Sequence, residues 1–231
     1  MTTPRQRARE QTMRDIVRIG RAQLADHGAA ALSLRAVARE LGVVSSAVYR
    51  YVADRDALLT LLVVDGYDEL GDAVDAALEG EPGGHRDRFL ALGRAVREWA
   101  LAEPATYALL FGSPVPGYAA PAERTVAPGT RVPAAMLGIA ADAHAAGELA
   151  LPSEPDEDPG GALSTGLHGI REQFGFELPD AALRRGVLVW ASLFGCVSFE
   201  LFGQYGPDAF GDPATLFERH LARLAEGMGL A

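Results

Sequence analysis

The stretch from Leu32 to Leu59, LSLRAVARELGVVSSAVYRYVADRDALL, decides the fold of the N-terminal part of the chain. It predicts two short helices joined by a tight turn, because Ser33 is a favourable N-cap residue and Gly42 ends a helix at little conformational cost. The first helix is expected over 34–41 and the second over 45–52. Two helices of this length cannot bury a core alone, so the pattern requires a third helix packed across them.

The residues on either side of this stretch supply the other elements. Helical periodicity from Ile16 predicts the third helix, which Gly28 ends, and the polar, arginine-rich residues 1–10 are expected to form a mobile arm. Asp54 is expected to cap a long helix that runs to about Leu78. The predicted core positions are apolar or aromatic and recur at helical spacing: Ile16, Ile19, Leu24, Leu34, Val37, Ala38, Val43, Val48, Tyr51 and Val52.

The outer face of the second short helix carries residues that are small or form hydrogen bonds: Ser45, Ser46, Ala47, Tyr49 and Arg50. Small side chains let a helix approach the major groove of DNA closely, serine and tyrosine reach phosphates, and arginine bonds guanine with two hydrogen bonds. The pattern therefore predicts a helix-turn-helix that binds double-stranded operator DNA.

The charge of the chain is divided unevenly between its two parts. Residues 1–60 carry ten arginines and six acidic residues, a net charge of +4, although the whole chain has a net charge of −10. The remaining residues therefore carry a net charge of −14. A basic head on an acidic body is typical of a protein whose head meets a polyanion while its body stays soluble.

The sequence resembles the TetR/AcrR family of bacterial transcription regulators over residues 11–62. The resemblance rests on the run G-x-x-x-L-S-L-R-x-V-A-x-x-L-G-V from Gly28 to Val43, on Tyr49-Arg50-Tyr51, and on the segment from Asp54 to Leu59. It implies a dimeric, one-component regulator with a helix-turn-helix head and a helical body that binds a small molecule.

Two further features bear on this resemblance. Trp190, the run from Phe199 to Gly203 and the A-P-A-E-R segment from Ala120 are similar to an actinobacterial subgroup of the family. Val44 departs from the family pattern, in which a serine or threonine often caps the recognition helix. Ser45 is expected to take the cap instead, which leaves the first base-contacting position open by one residue.

The resemblance also implies roles for individual residues. Those expected near phosphates are Ser33, Arg35, Tyr49, Tyr51 and Arg55. Those expected at or near base edges are Ser45, Ser46, Ala47 and Arg50. The arginines that are expected to add contacts from the arm are Arg5, Arg7 and Arg9. An alternative interpretation stays open for two of these residues. Tyr51 could serve only as a core residue, and Arg35 could be only a solvated charge.

Residues 1–55 form the predicted DNA-binding domain and residues 56–231 a larger helical domain. Apolar periodicity and breaks at proline and glycine predict its later helices over 86–101, from 104, and over 131–149, 162–174, 180–203 and 213–228. The proline-rich segment 113–133 predicts a long loop with no more than a short turn of helix, and the acidic segment 152–161 an exposed connector. The fold class is all-α, with nine or ten helices.

The larger domain is expected to hold the effector and to form a homodimer. Candidate pocket residues lie where the family has its ligand cavity: Trp99, Tyr107, Phe111, His144 and His168. Ordinary core aromatics and structural histidines are the competing interpretation of these five. The dimer is expected to form through an apolar face of the last two helices: Leu183, Val187, Trp190, Phe194, Val197, Leu201, Leu216, Leu221 and Leu224.

The sequence gives weaker support to a membrane protein, to a catalytic or metal-binding protein, and to a secreted protein. The apolar segment 186–203 is nearly long enough to span a bilayer, but Glu200 inside it argues for a buried helix. Cys196 is the single cysteine, no nucleophile–base or metal-binding motif occurs, and no cofactor is expected. No secretory signal is visible, so a cytoplasmic location is expected.

The favoured function is repression relieved by a small molecule of unknown identity, although the sequence does not exclude activation. The alternatives are a helical ligand-binding protein that has lost DNA binding and a helical enzyme.

Overall fold

The computed structural model describes residues 3–151, 160–206 and 208–230. Within these residues the chain forms eleven α-helices, one turn of 3-10 helix and an isolated bridge between Leu149 and Leu230, so the all-α class is confirmed. The helices are α1 (Pro4–His27), α2 (Leu34–Glu40), α3 (Ser45–Val48), α4 (Arg55–Glu79), α5 (His85–Ala102), α6 (Pro104–Phe111), α7 (Ala122–Gly129), α8 (Arg131–Ala145), α9 (Gly161–Phe174), α10 (Asp180–Leu201) and α11 (Pro213–Met228). Most of the predicted acidic connector lies outside the described residues.

The chain divides into two compact units that do not follow the boundary expected after residue 55. The first unit comprises 1–69 and 102–129, and the second comprises 70–101 and 130–231. The first unit extends beyond the helix-turn-helix because α6 and the segment after it pack against its core. The partly buried residues that make this contact are Ala105, Leu109, Val115 and Tyr118.

The core of the first unit contains most of the positions expected from the periodicity. Buried residues of α1–α4 form one cluster: Ile16, Ile19, Leu24, Leu32, Leu34, Val37, Ala38, Val48, Val52, Leu58, Leu59 and Leu62. Val43 is the exception, because its side chain is exposed. Its backbone N–H instead donates to the Ala38 carbonyl across the turn at Gly42, and Leu41 packs against the core.

The N-terminal segment is helical, so the mobile arm expected over residues 1–10 is wrong for residues 4–10. Thr3 and Gln6 form a reciprocal capping box, in which the Gln6 N–H donates to Thr3 Oγ1 and the Thr3 N–H donates to Gln6 Oε1. Pro4 occupies the first helical position, where its fixed φ favours the helix and its missing N–H has no cost. These two signals start α1 about three turns before its buried residues.

The segment 113–133, expected as a long loop, holds α7 and the start of α8. Pro133 is tolerated because it lies in the first turn of α8, where a backbone N–H has no partner within the helix. Pro128 lies next to the last residue of α7. The loop proper is therefore restricted to 112–121. Tyr118 in this loop anchors it to α4, since its hydroxyl lies 3.1 Å from Thr60 Oγ1.

Two close approaches fix α6 and α1 against α4 in the first unit. A Cβ at Gly66 would lie 2.6 Å from Thr106 Cγ2, so only glycine allows α4 and α6 to approach this closely. On α1, the Arg21 guanidinium lies 3.1 Å from Asp65, 2.5 Å from Glu69 and 2.8 Å from Glu103. Arg21 thus connects α1 to α4 and to the residue that precedes α6.

The electrostatics of this cluster depend on partial burial. Burial opposes the charge on Arg21, yet hydrogen bonds to Glu69 and Glu103 hold its pKa above the ordinary value. Burial also raises the pKa of Asp65, and the Arg21 charge only partly counteracts this. The Arg21 guanidinium is therefore the shared partner of three carboxylates. One of them, Asp65, is costly to ionise because it is partly buried.

The second unit is built around α10, which packs against α8, α9 and α11. The inner face expected for α5 is confirmed, because Phe89, Leu92, Val96 and Trp99 are buried. α5 also contributes Arg97, which forms a two-hydrogen-bond ion pair of 2.8 and 2.5 Å with Glu200 of α10. Both side chains are largely buried, a placement that requires such pairing.

Among the described residues, α10 is the one helix long and apolar enough to cross a membrane by length and composition. Its core-facing residues Leu183, Leu193 and Val197 are fully or almost fully buried among the helices of the second unit. Together with the buried ion pair of Glu200, this packing is that of a core helix.

The approach at Gly66 gives a matched pair of glycine substitutions. Gly66→Ala should lower the free energy of unfolding by about 1–2 kcal/mol, because overpacking against Thr106 outweighs the better helix propensity of alanine. Gly166→Ala in α9, where a Cβ meets nothing within 4 Å, should raise it by up to about 1 kcal/mol. Thermal unfolding followed by circular dichroism measures both; equal signs for the two variants would contradict the packing described.

The Arg21 cluster gives a pH-dependent prediction. Arg21→Gln should lower the free energy of unfolding by about 2–3 kcal/mol at about pH 7.5, after allowance for the partial exposure of its partners. The folded-state pKa of Asp65 lies above its unfolded value, so its protonated form stabilises the fold at acid pH and this contribution is lost as pH rises. The loss in Arg21→Gln should therefore be smaller at about pH 4.5.

Urea unfolding at the two pH values measures this difference. In the Arg21→Gln variant, a second substitution, Asp65→Asn, should restore part of the stability at neutral pH, because it removes one of the three carboxylate charges. Arg18→Gln is the control, since Arg18 is exposed and its ion pair is with Asp15 of the same helix. A loss in Arg21→Gln that does not change with pH would rule out carboxylate repulsion as its cause.

Candidate DNA-binding interface

Ser33 caps α2 as expected, and a buried glutamine holds it in place. Its hydroxyl oxygen accepts a hydrogen bond from the Ala36 N–H, and its own N–H donates to Gln23 Oε1 at 3.2 Å. Gln23 lies on α1 and is buried, so α1 determines the position of the first residue of the motif. This role of Gln23 was not expected from the sequence, where the residue appears only as one position in a helical pattern.

The first and last residues of α3 differ from those expected. Val44 is the N-cap residue of α3, with no side-chain hydrogen bond, and Ser45 is the first helical residue. The expectation that Ser45 caps the helix is therefore wrong by one residue. α3 itself ends at Val48 instead of near Val52, although turn hydrogen bonds continue the coil to Val52.

The residues expected to bind DNA fall into two groups by exposure. Those with exposed side chains are Arg35, Ser46, Tyr49 and Arg50; those that are half-buried are Ser33, Ser45, Ala47, Tyr51 and Arg55. Val48 and Val52 between them are buried, so the sequence alternates between core and surface as a recognition helix requires. Eight of the nine lie in α2, in α3 with its following turn, or at the ends of these elements, and Arg55 is the first residue of α4.

Tyr51 and Arg55 each contact another part of the same unit. The Arg9 guanidinium lies over the Tyr51 ring, 5.4 Å from its centroid, so the first turns of α1 lie beside the end of the recognition segment. Arg55 donates from Nη2 to the Ala29 carbonyl at 3.0 Å, which ties the start of α4 to the 3-10 turn after α1. Asp54 caps α4 as expected, accepting from the Ala57 N–H at 2.7 Å.

The candidate pocket residues are divided between the two units. Tyr107 and Phe111 lie on α6 in the first unit, where their ring centroids are 5.0 Å apart. Trp99, His144 and His168 lie in the second unit. His168 is exposed on α9 and pairs with Glu172 one turn away, 3.2 Å from its Nε2.

The residues expected at the dimer interface differ in burial within the single chain. Leu183, Phe194, Val197 and Leu221 are buried within the single chain, so they are core residues and the assignment of the face was wrong for them. Leu201, Leu216 and Leu224 are half-buried. Two residues of the expected set, Val187 and Trp190, are exposed on α10, as are Leu188 and Phe199 outside that set. The cause of the error is that α10 is apolar on both sides, which leaves the direction of its core face open in the sequence.

The structure also describes the surroundings of Asp142, which is two residues from His144, and of the single cysteine Cys196. Asp142 pairs with Arg88 at 3.3 Å, and burial raises the pKa of the Cys196 thiol, which disfavours the reactive thiolate. Across residues 3–151, 160–206 and 208–230, no group of three or more His, Cys, Asp or Glu side chains is placed to hold a metal ion.

Two family models match this chain along most of its length. The model described as "Bacterial regulatory proteins, tetR family" matches residues 16–62, which contain α2 and α3. The model described as "Tetracyclin repressor-like, C-terminal domain" matches residues 89–224.

Similar proteins include the HTH-type transcriptional regulator Rv1816 of Mycobacterium tuberculosis, 48% identical over 215 residues that cover 93% of this chain and 91% of the relative. The HTH-type transcriptional regulator Mb1846 of Mycobacterium bovis matches equally. Among solved structures, SCO4313, described as a regulatory protein, has a TM-score of 0.74 and 36% identity, covering 97% of this chain and all of that one. A Rhodococcus protein of unknown function shares the fold, with a TM-score of 0.71, 24% identity and coverage of 94% and 95% of the two chains.

The geometry of α2 and α3, the two family models and the near full-length relatives agree. The chain therefore belongs to the TetR family, as a DNA-binding transcription regulator of the helix-turn-helix type and not an enzyme.

Proposed function

We propose that this regulator acts as a cytoplasmic homodimer that represses transcription from its operator and is released by a small molecule. The observation that supports this most directly is the exposed set on and after α3. Tyr49 and Arg50 present hydrogen-bonding groups outward, while Val48 and Val52 secure the same segment to the core. A surface of this kind gains nothing for folding and is suited to reading the edges of base pairs.

Charge supports the same assignment. The basic excess of the first sixty residues is carried by arginines, several of them exposed on α1, α2 and the end of the recognition segment: Arg5, Arg7, Arg9, Arg14, Arg35 and Arg50. Because α1 is helical from Pro4, its first arginines are held on a rigid element beside Tyr51. We propose that they contact phosphates next to each half-site.

The exposed apolar residues of α10 support a homodimer. Leu188 is 66% exposed and Phe199 is 52% exposed, and Val187 and Trp190 of the same helix are exposed as well. Isolated exposed apolar residues are ordinary, but a series along one helix marks an interaction surface. A second copy of α10 would cover it and would bring two heads to one operator.

The response to an effector is proposed to pass through α6. This helix is part of the same compact unit as the helix-turn-helix, held by the Gly66–Thr106 approach and by the packing of Ala105 and Leu109. Tyr107 is fully buried, so a ligand that moved it would repack this unit. Effector binding would then favour heads that no longer fit successive major grooves, about 34–36 Å apart.

The sign of regulation is tested by deleting the gene and measuring transcripts of its neighbours. If the protein is a repressor, transcript levels should rise in the deletion strain. Returning the intact gene should lower them to the original level, and returning the Arg50→Ala variant should not. Lower levels after deletion would identify an activator. A protein that binds no DNA from its own upstream region in a gel shift would instead support the alternative of a ligand-binding protein.

Base reading and phosphate contact should separate in two arginine variants. Tyr49→Ala and Arg50→Ala should keep the helical circular dichroism and each lose about 1–3 kcal/mol of operator binding. Arg50→Ala should relax the preference at one base pair per half-site, if its guanidinium reads guanine. Arg35→Ala should weaken binding to operator and scrambled DNA alike and reduce the salt slope by about one per subunit.

Titrations at several salt concentrations distinguish the two classes. Arg55 is a less clean test of phosphate contact, because its bond to Ala29 means that substitution also weakens the fold of the first unit. Identical behaviour of the Arg35 and Arg50 variants on both DNAs would refute the division into positioning and reading residues.

The dimer surface is tested by a pair of α10 variants. Leu188→Glu should give a folded monomer, because the exposed position tolerates a carboxylate in water but not in an interface. Val197→Glu should instead prevent folding, since Val197 is 1% exposed within the chain. Light scattering and circular dichroism report the two outcomes, and a Leu188→Glu protein that remains dimeric would place the interface elsewhere.

A further inference from the structure

The surface before α3 carries an apolar side chain that the folding of the chain does not use. Val44 is 71% exposed, a larger fraction than that of Leu188 on α10, which is 66% exposed. It adjoins Val43, which is also exposed. Neither residue belongs to the core cluster of the first unit, although valine is a residue that cores readily accept.

Val44 also occupies a position where a polar residue would stabilise the fold. It is the N-cap of α3, its backbone is extended, and it makes no side-chain hydrogen bond to the helix. Serine, asparagine or aspartate at an N-cap stabilises a helix by accepting a hydrogen bond from a free backbone N–H. The chain therefore forgoes a cap and exposes two methyl groups at the same position.

The neighbours of Val44 belong to the surface proposed to read DNA. Ser45, Ser46 and Ala47 follow it directly, and each has a smaller side chain than Val44. The N-terminal residues of a recognition helix are the ones that meet base edges. In the major groove, thymine alone of the four bases carries a methyl group, and apolar side chains recognise it.

On the basis of the DNA binding proposed above, we propose that Val44 is a specificity-determining residue that packs on the 5-methyl group of one thymine in each half-site. Contact with the thymine methyl group would remove water from the apolar surface of Val44. The free energy gained in this way would offset the cost of exposing Val44 in the free protein. The arginines and serines of the surface cannot make this distinction, because they bond to polar edges. The recognition segment would thus read one base by its methyl group and others by hydrogen bonds.

The test uses uracil, which differs from thymine only by this methyl group. The probe is a duplex selected from a randomised pool by the purified full-length protein, then resynthesised with each thymine replaced singly by uracil. In each half-site, one thymine position should be sensitive to replacement. Uracil at that position in a single half-site should weaken binding by about fourfold, the effect of losing one buried methyl-sized group. Replacement in both half-sites should weaken binding by about fifteenfold, because distant sites contribute independently.

Val44→Ser is the matching protein variant, and it cannot act through unfolding. Serine supplies the missing cap, so the variant should be more heat-stable than the parent protein. It should nevertheless bind the thymine operator more weakly and bind the thymine and uracil duplexes equally well. Val126→Ser, at an exposed valine of α7, is the control and should retain the full preference for thymine.

The outcomes separate the two proposals. If selection enriches no sequence, DNA binding by this surface fails, and the role of Val44 fails with it. If a site is enriched but no uracil replacement reduces affinity, or if Val44→Ser keeps the same thymine preference as the parent, the role of Val44 alone is overturned. A selected half-site without thymine would overturn it as well.

Discussion

The packing of α1 across α2 and α3 is the interaction on which the rest of the DNA-binding unit depends. Helices of seven and four residues are too short to be stable by themselves, so their positions are set by what they pack on. Ile16 and Ile19 supply fully buried surface, and Gln23 adds a directional bond to the Ser33 N–H. A change in the position of α1 would therefore move the recognition segment as well.

The same helix is connected to the part of the unit that lies far from it in sequence. Arg21 bonds to Asp65 and Glu69 on α4 and to Glu103 just before α6, so a single side chain links three elements. Tyr118 and Thr60 add a contact from the loop after α6. Ion pairs and packed side chains therefore connect α1, the first part of α4 and α6 within one compact unit.

The sequence predicted the local features well and the long-range ones poorly. Ser33, Gly42 and Asp54 act as expected because capping and helix termination depend on a few neighbouring residues. Val43 and the face of α10 were misassigned because an apolar residue is suited equally to a core, an interface or a ligand. The Arg21 cluster joins residues 44, 48 and 82 positions apart, and no local pattern reveals such partners.

Two apolar side chains that the fold leaves on the surface bear on the proposed partners of the chain. Val44 in the first unit and Leu188 in the second are exposed in the isolated chain, and each costs hydration free energy that folding does not recover. A core position would have been buried by the chain itself. Their exposure fits the partners proposed above, which are DNA for Val44 and a second copy of the chain for Leu188. In that proposal the two associations would reinforce each other, since a dimer held through α10 would raise the effective concentration of its second head at the operator.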